Sequence, residues 1–433
     1  MNRAARLLYG AAGQLSRVAP YLAPPGGSRA SIALRARHGL TDRFAEWARR
    51  SRDRSRPLVW VHAASVGEAL QAKPVLALLR AKRPDIQLVY THFSPSGRQL
   101  AGAIEADYAD YLPFDNAAHM DAVLDALRPT VLVFSKLDVW PVLVERAKLK
   151  GVALALIGGT LSARSGRLAG LGGVIAKDAY LALDVIGAAS PDDAARFAAV
   201  GIPRARIEVT GDASFDQVIE RARAARAARS SRLVESLVTS RFTLVAGSTW
   251  PSDNRVLFPA WKSVREHHSR ARLIIAPHDL SQRHLGAIEA WARQSYSVAR
   301  LSEPGAARAD VLVIDRYGVL GDLYAVADVA YVGGGLHRPG LHSVIEPAAF
   351  GVPVIYGATH AHRRDAELLA AAGGAVAVAG AGELERAISA WLPEAKRKTA
   401  GAKALAVVTR EAGAAGRSYA LLAALVPGAV EAG

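Results

Sequence analysis

The fold is decided by the stretch VWVHAASVGE at residues 59–68, where an apolar strand runs into a turn of small residues and then into a helix. Short β-branched runs of the same kind recur near residues 86–91, 131–134, 152–157 and 184–188, with Ala- and Leu-rich stretches between them. A second series lies near residues 243–247, 272–276, 311–314, 329–332 and 353–355. Strands that alternate with helices in this way form parallel sheets covered by helices. The sequence therefore predicts the α/β class, with two doubly wound Rossmann-like domains that face a central cleft.

The length of 433 residues also favours two domains, because one hydrophobic core seldom organises more than about 250–300 residues. We expect the linker near residues 205–212, where a turn-rich stretch precedes an Arg- and Ala-rich helix. The predicted organisation is a basic amphipathic segment at 1–57, Rossmann-like domains at 58–207 and 208–395, and a helical tail at 396–433.

The N-terminal segment carries much of the chain's positive charge. The formal net charge is +15, and twelve arginines but only three acidic residues lie within residues 1–56. Apolar side chains between Leu7 and Leu22 follow a helical period and are flanked by arginines, which favours an amphipathic helix. Such a helix suits an anionic membrane surface, although it can equally pack on the protein itself. We expect no nucleic-acid partner, since no known reading motif accompanies the charge.

Two carboxylates follow predicted strands. Glu68 begins the helix after the first strand, where a partly buried carboxylate can accept a proton during catalysis. Asp138 follows the strand at 131–134, so the pair suggests acid–base chemistry at one edge of the sheet. Each residue also has a structural alternative. Glu68 can stabilise the first turn of its helix, and Asp138 can cap the helix that Pro141 begins.

The second half contains the glycine-rich stretch YVGGGLHRPGLHSVIEP at residues 331–347. We predict that His342 and Ser343 begin a helix that carries Glu346. Glycines allow a close approach to a phosphate, a helix N-terminus attracts it, and Glu346 can accept hydrogen bonds from both ribose hydroxyls. A plain tight turn is the alternative for the glycines. The stretches AGST at 246–249 and IIAPH at 274–278 also follow strands.

Several chemistries are excluded or not expected. The chain has no cysteine, which excludes a cysteine nucleophile, a disulfide and a thiolate metal site. It lacks an early G-x-G-x-x-G dinucleotide fingerprint and a G-x-x-x-x-G-K-S/T phosphate loop. Its histidines show no metal-ligand spacing, so we predict no catalytic metal.

In their order along the chain these motifs resemble those of the bacterial transferases that add 3-deoxy-D-manno-octulosonic acid (Kdo) to lipid A precursors. The likeness runs from about residue 58 to about residue 375. It rests on HAASVGE at 62–68, YLPFD at 111–115, TGDASFD at 210–216, GST at 247–249 and the Glu346-Pro347 pair.

The resemblance implies the GT-B architecture and an inverting transfer of Kdo from CMP-Kdo to the lipid A precursor lipid IVA, with no cofactor besides the donor substrate. It also implies a peripheral location on the cytoplasmic face of the inner membrane. Glu68 would be the general base and Asp138 the second catalytic carboxylate. The residues implied in binding the nucleotide-sugar donor are Ser248, Thr249, His278, Gly334, Gly335, His342, Ser343 and Glu346.

The chain departs from the family's motifs at three places. It has LDVWP at 137–141 for a T-E-x-W-P pattern, PHDL at 277–280 for P-R-H-P, and Ser343-Val344 for Asn-Pro. These departures leave two alternatives open. One is a GT-B relative with a different donor, either a UDP-sugar transferase or an epimerase. The other is a nucleotide-sugar-binding protein without catalysis.

Overall fold

The computed structural model describes residues 29–95, 97–98, 102–161, 170–227, 232–337, 340–359 and 363–428. Contacts between residues divide the chain into two compact units. The first contains the described residues up to Gln217 together with those from Ala412 onward, and the second contains Val218–Glu411.

The first unit is a seven-stranded parallel sheet with helices on both faces. Its strands are β1 Leu58–His62, β2 Gln87–His92, β3 Tyr108–Tyr111, β4 Val131–Ser135, β5 Ala153–Gly159, β6 Val185–Ala188 and β7 Ile207–Val209. Its helices are α1 Arg29–Arg35, α2 Leu40–Ser51, α3 Val66–Lys82, α4 Ala117–Leu127, α5 Pro141–Leu149, α6 Gly170–Leu181, α7 Pro191–Val200 and α8 Ser214–Ala227, which runs into the second unit. The strand order is β3-β2-β1-β4-β5-β6-β7.

The second unit is also a seven-stranded parallel sheet, in the order β10-β11-β9-β8-β12-β13-β14. Its strands are β8 Thr243–Thr249, β9 Arg272–Pro277, β10 Val298–Arg300, β11 Val311–Val313, β12 Val329–Val332, β13 Val354–Gly357 and β14 Ala375–Val378. Its helices are α9 Arg232–Leu237, α10 Pro251–His267, α11 Gln282–Ala292, α12 Leu320–Leu323, α13 Ile345–Ala349, α14 Arg364–Ala371, α15 Ala381–Ala390 and α16 Glu394–Glu411, and α17 Ala414–Ala423 follows in the first unit.

Both faces of each central strand are buried, which is why the sequence shows continuous apolar runs. In β1, Leu58 and Trp60 pack into one core, whereas Val59 and Val61 pack into the core on the opposite face. All ten strands that the sequence predicts are present, and the α/β class is confirmed.

The units differ from the predicted domain boundaries at both ends of the second domain. Strand β7 pairs with β6 at Ile186–Ile207 and extends the first sheet, so the division falls after Gln217 rather than after residue 207. The predicted tail at 396–433 splits between the units. Helix α16 packs against α13 and α14, while α17 packs against α3, β5 and β6 of the first unit.

Residues 29–57 form part of the first unit rather than a separate segment. Helix α2 packs on α4 and buries Leu40 and Phe44 in the same core as Trp60. The predicted amphipathic helix between Leu7 and Leu22 lies outside the described residues. Among the helices that the structure describes, none is long and apolar enough to cross a bilayer.

Candidate functional site

The predicted site residues fall at two places where the strand order reverses. In the first sheet β1 lies between β2 and β4, and Glu68 and Asp138 follow β1 and β4. In the second sheet β8 lies between β9 and β12, and the glycine triplet follows β12. Open parallel sheets bind ligands at the carboxyl ends of the strands beside such a reversal. Each sheet therefore offers one candidate site.

Glu68 is held in the first turn of α3 by a capping box. Its Oε2 atom accepts hydrogen bonds from the backbone N–H of Ser65 at 2.9 Å and from the Ser65 hydroxyl at 3.1 Å. Only 5% of Glu68 is exposed. The structural alternative is therefore real, because Glu68 does stabilise the start of its helix. The same contacts leave Oε1 without a donor among the described residues, so the two roles are compatible.

The surroundings of Glu68 favour its neutral form. Burial is the largest effect and raises its pKa above the usual 4.5, and the Asp138 carboxylate raises the pKa further. Hydrogen bonds from Ser65 and the charge of Lys136 act in the opposite direction. A carboxylate whose pKa is raised in this way is a better proton acceptor near neutral pH than an exposed one.

Lys136 is a site residue that the sequence analysis missed. Its φ of 69° is left-handed, which is unfavourable for a residue with a Cβ. The conformation is fixed on both sides, because the Lys136 N–H donates to Ile157 O at 2.9 Å and its carbonyl accepts from Thr160 N–H at 3.0 Å. The signal in the sequence was a lysine two residues before Asp138 at the end of a strand.

Asp138 does not cap helix α5, so that alternative is wrong. The N-cap residue is Trp140. A residue from another loop accepts the hydrogen bonds of the N–H groups in the first turn. The Asp115 carboxylate accepts from the N–H groups of Val142 and Leu143 at 3.0 and 2.8 Å. Asp138 is half-buried and acts on Glu68 through its charge.

A buried aromatic network supports this site. Trp140 Nε1 donates to His62 Nε2 at 3.1 Å, which places the His62 proton on Nδ1, 3.0 Å from Thr91 Oγ1. Burial lowers the pKa of His62 to about 3, so the ring is neutral. His62 is therefore a structural residue that holds the Trp140 loop next to Asp138.

Arg37 also lies inside the first unit, although the sequence analysis grouped it with a surface-binding segment. It donates to the carbonyls of Leu112 and Phe93 at 2.9 and 2.8 Å, and its guanidinium lies 4.1 Å from the centre of the Phe93 ring. Burial lowers its pKa to about 10, which leaves it charged. Phe93 in turn packs on Trp140 at 4.8 Å. Arg37 thus supports the loops around the Glu68 site.

In the second unit the predicted helix start is wrong. Helix α13 begins at Ile345 and has five residues, so His342 and Ser343 precede it. The reason is local: the His342 N–H donates to Gly333 O at 3.1 Å, which keeps that residue in the loop after β12. A helix this short has a weak dipole, and little anion binding can be attributed to it.

The glycine triplet is required by close backbone packing. A Cβ on Gly333 would lie 2.4 Å from Ser248 O, and one on Gly334 would lie 2.3 Å from Gly340 O. A Cβ on Gly335 would lie 2.6 Å from Gly357 N. The tight-turn alternative therefore accounts for all three glycines, whether or not a phosphate lies beside them.

Asp253 fixes the glycine loop and was not predicted. Its fully buried carboxylate accepts from the N–H groups of Trp250 and Gly334 at 2.8 and 3.0 Å and from the Tyr331 hydroxyl at 2.9 Å. It thereby connects the start of α10 with β12 and the loop that follows. An Asp in the first turn after Trp250-Pro251 was the available signal.

Three histidines surround Trp250, and we call these four residues the imidazole cluster. The Trp250 ring stacks on His278 at 4.3 Å, and its Nε1 donates to His342 Nε2 at 3.2 Å. His337 approaches the indole at 5.1 Å, and its Nδ1 lies 3.1 Å from the Ser252 hydroxyl. Burial, followed by the charges of His278, Arg363 and His337, lowers the pKa of His342 to about 4.

The other predicted donor-binding residues lie beside this cluster in the chain. Ser248 has a left-handed φ of 54°, and the Thr249 hydroxyl is buried with no partner among the described residues. Glu346 is half-buried, and burial raises its pKa, opposed by Arg221 and by a hydrogen bond from Ser343. Ser343 and Glu346 are therefore in contact.

Within the described chain, no group of three His, Cys, Asp or Glu residues has the geometry of a metal site. The three histidines of the imidazole cluster therefore do not have that geometry either. The absence of a metal from the reaction stays a prediction.

Comparison with known proteins identifies the family. A family model described as 3-deoxy-D-manno-octulosonic-acid transferase (kdotransferase) matches residues 34–217. The 3-deoxy-D-manno-octulosonic acid transferase of Bordetella pertussis is 32% identical over 337 residues, which cover 73% of this chain and 75% of that protein. The corresponding protein of Chlamydia muridarum is 31% identical over 326 residues, or 72% and 73% of the two chains.

Solved structures support the architecture. UDP-GlcNAc 2-epimerase from Neisseria meningitidis, bound to UDP-GlcNAc, has a TM-score of 0.60 at 12% identity and covers 82% of this chain and 99% of its own. A putative UDP-N-acetylglucosamine 2-epimerase from Listeria monocytogenes gives 0.59 at 14% identity, with coverage of 82% and 94%. Identities this low show the fold alone, and they confirm the GT-B prediction. Because two relatives exceed 30% identity over more than two thirds of their length, the chain belongs to the family of 3-deoxy-D-manno-octulosonic acid transferases.

Proposed function

We propose that this glycosyltransferase moves Kdo from CMP-Kdo to a hydroxyl of a lipid A precursor, with inversion at the anomeric carbon. The observation that carries the proposal is the buried Glu68 carboxylate at the strand-order reversal of the first sheet, with its raised pKa. The family supplies the donor and the sugar, and the structure supplies a group suited to accept the proton.

In the proposed reaction, the acceptor oxygen attacks the anomeric carbon of Kdo while its proton passes to Glu68 Oε1. The bond between that carbon and the CMP phosphate oxygen breaks, and CMP leaves with the electron pair. The transition state has oxocarbenium character, as in other glycosyl transfers. The capping box with Ser65 holds Oε2 and so orients the carboxylate. The half-buried Asp138 is the second carboxylate of the proposed site and keeps the pKa of Glu68 high.

The donor would bind in the second unit. The proposed contacts for the phosphate are Ser248 and Thr249 at the end of β8 and the loop residues Gly334 and Gly335, with His278 and His342 beside it. Ser343 and Glu346 are the proposed contacts for the ribose. Because α13 has only five residues, backbone N–H groups and side chains have to provide most of the phosphate binding. We propose no metal and no cofactor besides the donor substrate.

The acceptor and the location are part of the same proposal. A bisphosphorylated lipid such as lipid IVA suits a chain with a formal charge of +15, and an anionic membrane surface suits the arginines of residues 1–56. Not all of these arginines are available to a membrane, since Arg37 is buried and the exposed Arg43 pairs with Asp110 at 2.8 Å. We propose peripheral binding on the cytoplasmic face of the inner membrane.

The three motif departures support one competing function, a relative that accepts a different sugar nucleotide. Two of them, at His278 and Ser343, fall among the residues proposed to bind the donor. The likeness to UDP-GlcNAc epimerases concerns the fold and does not favour a uridine nucleotide.

The test is transfer from CMP-Kdo, generated in the assay, to a tetraacylated lipid A precursor by the native chain and by Glu68→Gln. We expect product from the native chain alone, with CMP affinity unchanged in the variant. Ser65→Ala is the matched control, because it keeps the carboxylate and removes only one of its hydrogen bonds. Absence of product from the native chain, with UDP bound more tightly than CMP, would favour the competing function.

A further inference from the structure

We propose that Lys136 binds a phosphate group of the lipid acceptor and so holds the acceptor hydroxyl next to Glu68. This inference rests on the proposed function and deepens it, because it assumes that a phosphorylated lipid brings that hydroxyl to the first unit. The proposed function relates the acceptor's charge to the net charge of the whole chain. The inference assigns its recognition to one side chain.

The position of Lys136 suits a contact with the acceptor. Lys136 is the first residue after β4, which lies next to β1 in the sheet. The residue before it, Ser135, is fully buried, and its hydroxyl donates to the Glu68 carbonyl at 3.0 Å. The ends of β1 and β4 are level, since His62 is paired with Phe134. The half-buried Lys136 is therefore part of the surface that a hydroxyl bound at Glu68 has to approach.

The backbone of Lys136 is held in a conformation that glycine adopts more easily. Its φ is 69°, and its peptide groups are bonded on both sides, to Ile157 O at 2.9 Å and from Thr160 N–H at 3.0 Å. A glycine at this position would remove the strain, but it would also remove the ammonium group. Strain that persists at a candidate site in this way favours a role for the side chain itself.

The ammonium group of Lys136 is available to a substrate. Within the part of the chain that the structure describes, its Nζ atom makes no hydrogen bond or ion pair, and its charge acts on Glu68. The two carboxylates of this site, Glu68 and Asp138, would repel a phosphorylated acceptor. A site that accepts such a lipid therefore needs a cation beside the carboxylates, and Lys136 is in the position to provide it.

The acceptor's phosphate suits Lys136 better than the carboxylate of the transferred sugar does. Kdo is an ulosonic acid, so its carboxyl group is attached to the anomeric carbon. That carbon gains positive charge in an oxocarbenium-like transition state, and an ammonium group bound beside it would oppose this charge. A phosphate of the acceptor takes no part in the bonds that form and break, so its binding does not disfavour the transition state. Lysine binds phosphate well as a point charge on a flexible stem.

The experiment measures Kdo transfer by the native chain and by Lys136→Met. The acceptors are a bisphosphorylated tetraacyl lipid A precursor and its two monophosphorylated forms, and each protein is assayed at its own pH optimum. With the bisphosphorylated acceptor, the variant should have an acceptor KM about tenfold higher, which is the size expected for loss of one charge-assisted hydrogen bond. The KM for CMP-Kdo should change less than about twofold, and kcat should fall less than about threefold.

The monophosphorylated acceptors identify the phosphate. With the form that lacks the bound phosphate, the native chain and Lys136→Met should have the same acceptor KM, whereas the difference of about tenfold should persist with the other form. Lys136→Gln, a second uncharged variant, should reproduce this pattern if methionine disturbs the fold. Lys136→Arg keeps the charge and should retain most of the affinity.

Lys150→Met is the matched control. Lys150 follows the last residue of α5, at the end of this helix far from Trp140, and its Nζ atom lies 2.6 Å from Asp125 Oδ1. Its substitution removes one positive charge from the same unit without altering the site. The acceptor KM of this variant should equal that of the native chain with all three lipids.

The outcomes separate this inference from the proposed function. A rise in the KM for CMP-Kdo with an unchanged acceptor KM would assign Lys136 to the sugar carboxylate and overturn the inference. Equal losses with all three acceptors, or no change in either KM, would also overturn it. In each of these cases, transfer by the native chain leaves the proposed function standing. If the native chain forms no product with any of the three acceptors, the proposed function and this inference fail together.

Discussion

The Glu68 site and the imidazole cluster occupy the same place in two similar sheets, but the charged groups that surround them differ. Each lies at the carboxyl end of the strands where the order reverses. Burial favours the neutral form in both, since it raises the pKa of Glu68 and lowers the pKa of His342. Glu68 has one charged neighbour of each sign, Asp138 and Lys136, whereas Arg363 and two other histidines act on His342, and all three lower its pKa. One position in the fold can thus hold either a buried carboxylate or a group of imidazoles, depending on a few neighbours.

The largest expected effect concerns Glu68, at the first of the two sites compared. Glu68→Gln should lower kcat by about 10²–10⁴-fold, because removal of a general base typically has an effect of this size. The amide oxygen can still accept from Ser65, so the start of α3 should remain intact. The measurement is the rate of Kdo transfer at saturating CMP-Kdo, together with CMP affinity by calorimetry.

Ser65→Ala separates catalysis from capping in this experiment. It should reduce stability by about 1 kcal/mol through loss of the N-cap and reduce kcat less than tenfold. If both variants lose activity equally, Glu68 acts through the helix rather than through the proton, and its catalytic role is wrong.

The second expected effect concerns the carboxylate that holds the glycine loop. Asp253→Asn should lower the free energy of unfolding by about 2–3 kcal/mol, because a buried carboxylate that accepts three hydrogen bonds becomes an amide that cannot accept all of them. CMP affinity should fall with it, since Gly334 loses its anchor. Urea denaturation and calorimetry measure the two quantities.

Asp279→Asn is the control for this prediction. Asp279 is exposed, and among the described residues its carboxylate is hydrogen-bonded only to the nearby Ser281, so its substitution should change stability by less than about 0.5 kcal/mol. Equal stability losses in the two variants would contradict the special role given to Asp253.

The third prediction uses the two charges beside Glu68. Because Glu68 must be ionised to accept a proton, activity should rise as the pH rises through its pKa, which lies above 4.5. Asp138→Asn removes a negative neighbour and should move this acidic limb to lower pH. Lys136→Met removes a positive neighbour and should move it to higher pH, each by roughly 0.5–1 unit.

The measurement for this pair is kcat/KM as a function of pH, which reports groups of the free enzyme. Shifts of the same sign in both variants would show that the acidic limb belongs to a different group. Double substitution should return the limb close to its native position, since the two effects oppose each other.

The sequence revealed the central strands because they are buried on both faces, and it missed the edges. Strands β3, β7, β10 and β14 were not predicted, and they are the four edge strands of the two sheets. They have three or four residues each and are only partly buried. An exposed edge needs no continuous apolar run, so it leaves little signal.

Sequence reasoning reaches a candidate residue where one position is expected to carry the chemistry, and it misses residues that support that position from elsewhere in the fold. Glu68 directly follows a predicted strand, so its position alone singles it out as a candidate. Lys136 and Asp253 act through neighbours that only the folded chain brings close. Arg37 was misassigned for the same reason, since nothing local in the sequence shows that it lies beneath Phe93.

The smallest expected effect concerns strain, which both sites contain. Of the three non-glycine residues with a positive φ in the described part of the chain, Lys136 follows β4 at the first site and Ser248 lies in β8 at the second. The third, Arg128, ends helix α4. We expect Lys136→Gly, Ser248→Gly and Arg128→Gly each to raise the free energy of unfolding by up to about 1 kcal/mol, because glycine adopts left-handed φ without penalty.

The functional consequences should differ among the three variants. If the strain is kept for function, Lys136→Gly lowers kcat a few-fold and Ser248→Gly weakens CMP binding a few-fold, whereas Arg128→Gly changes neither. Lys136→Met retains the strain and removes the charge, so it should show the pH shift without the gain in stability. Denaturation midpoints and transfer rates for these four variants separate backbone strain from charge at the first site. Equal gains in stability with unchanged function in the three glycine variants would show that these left-handed residues are ordinary turn positions.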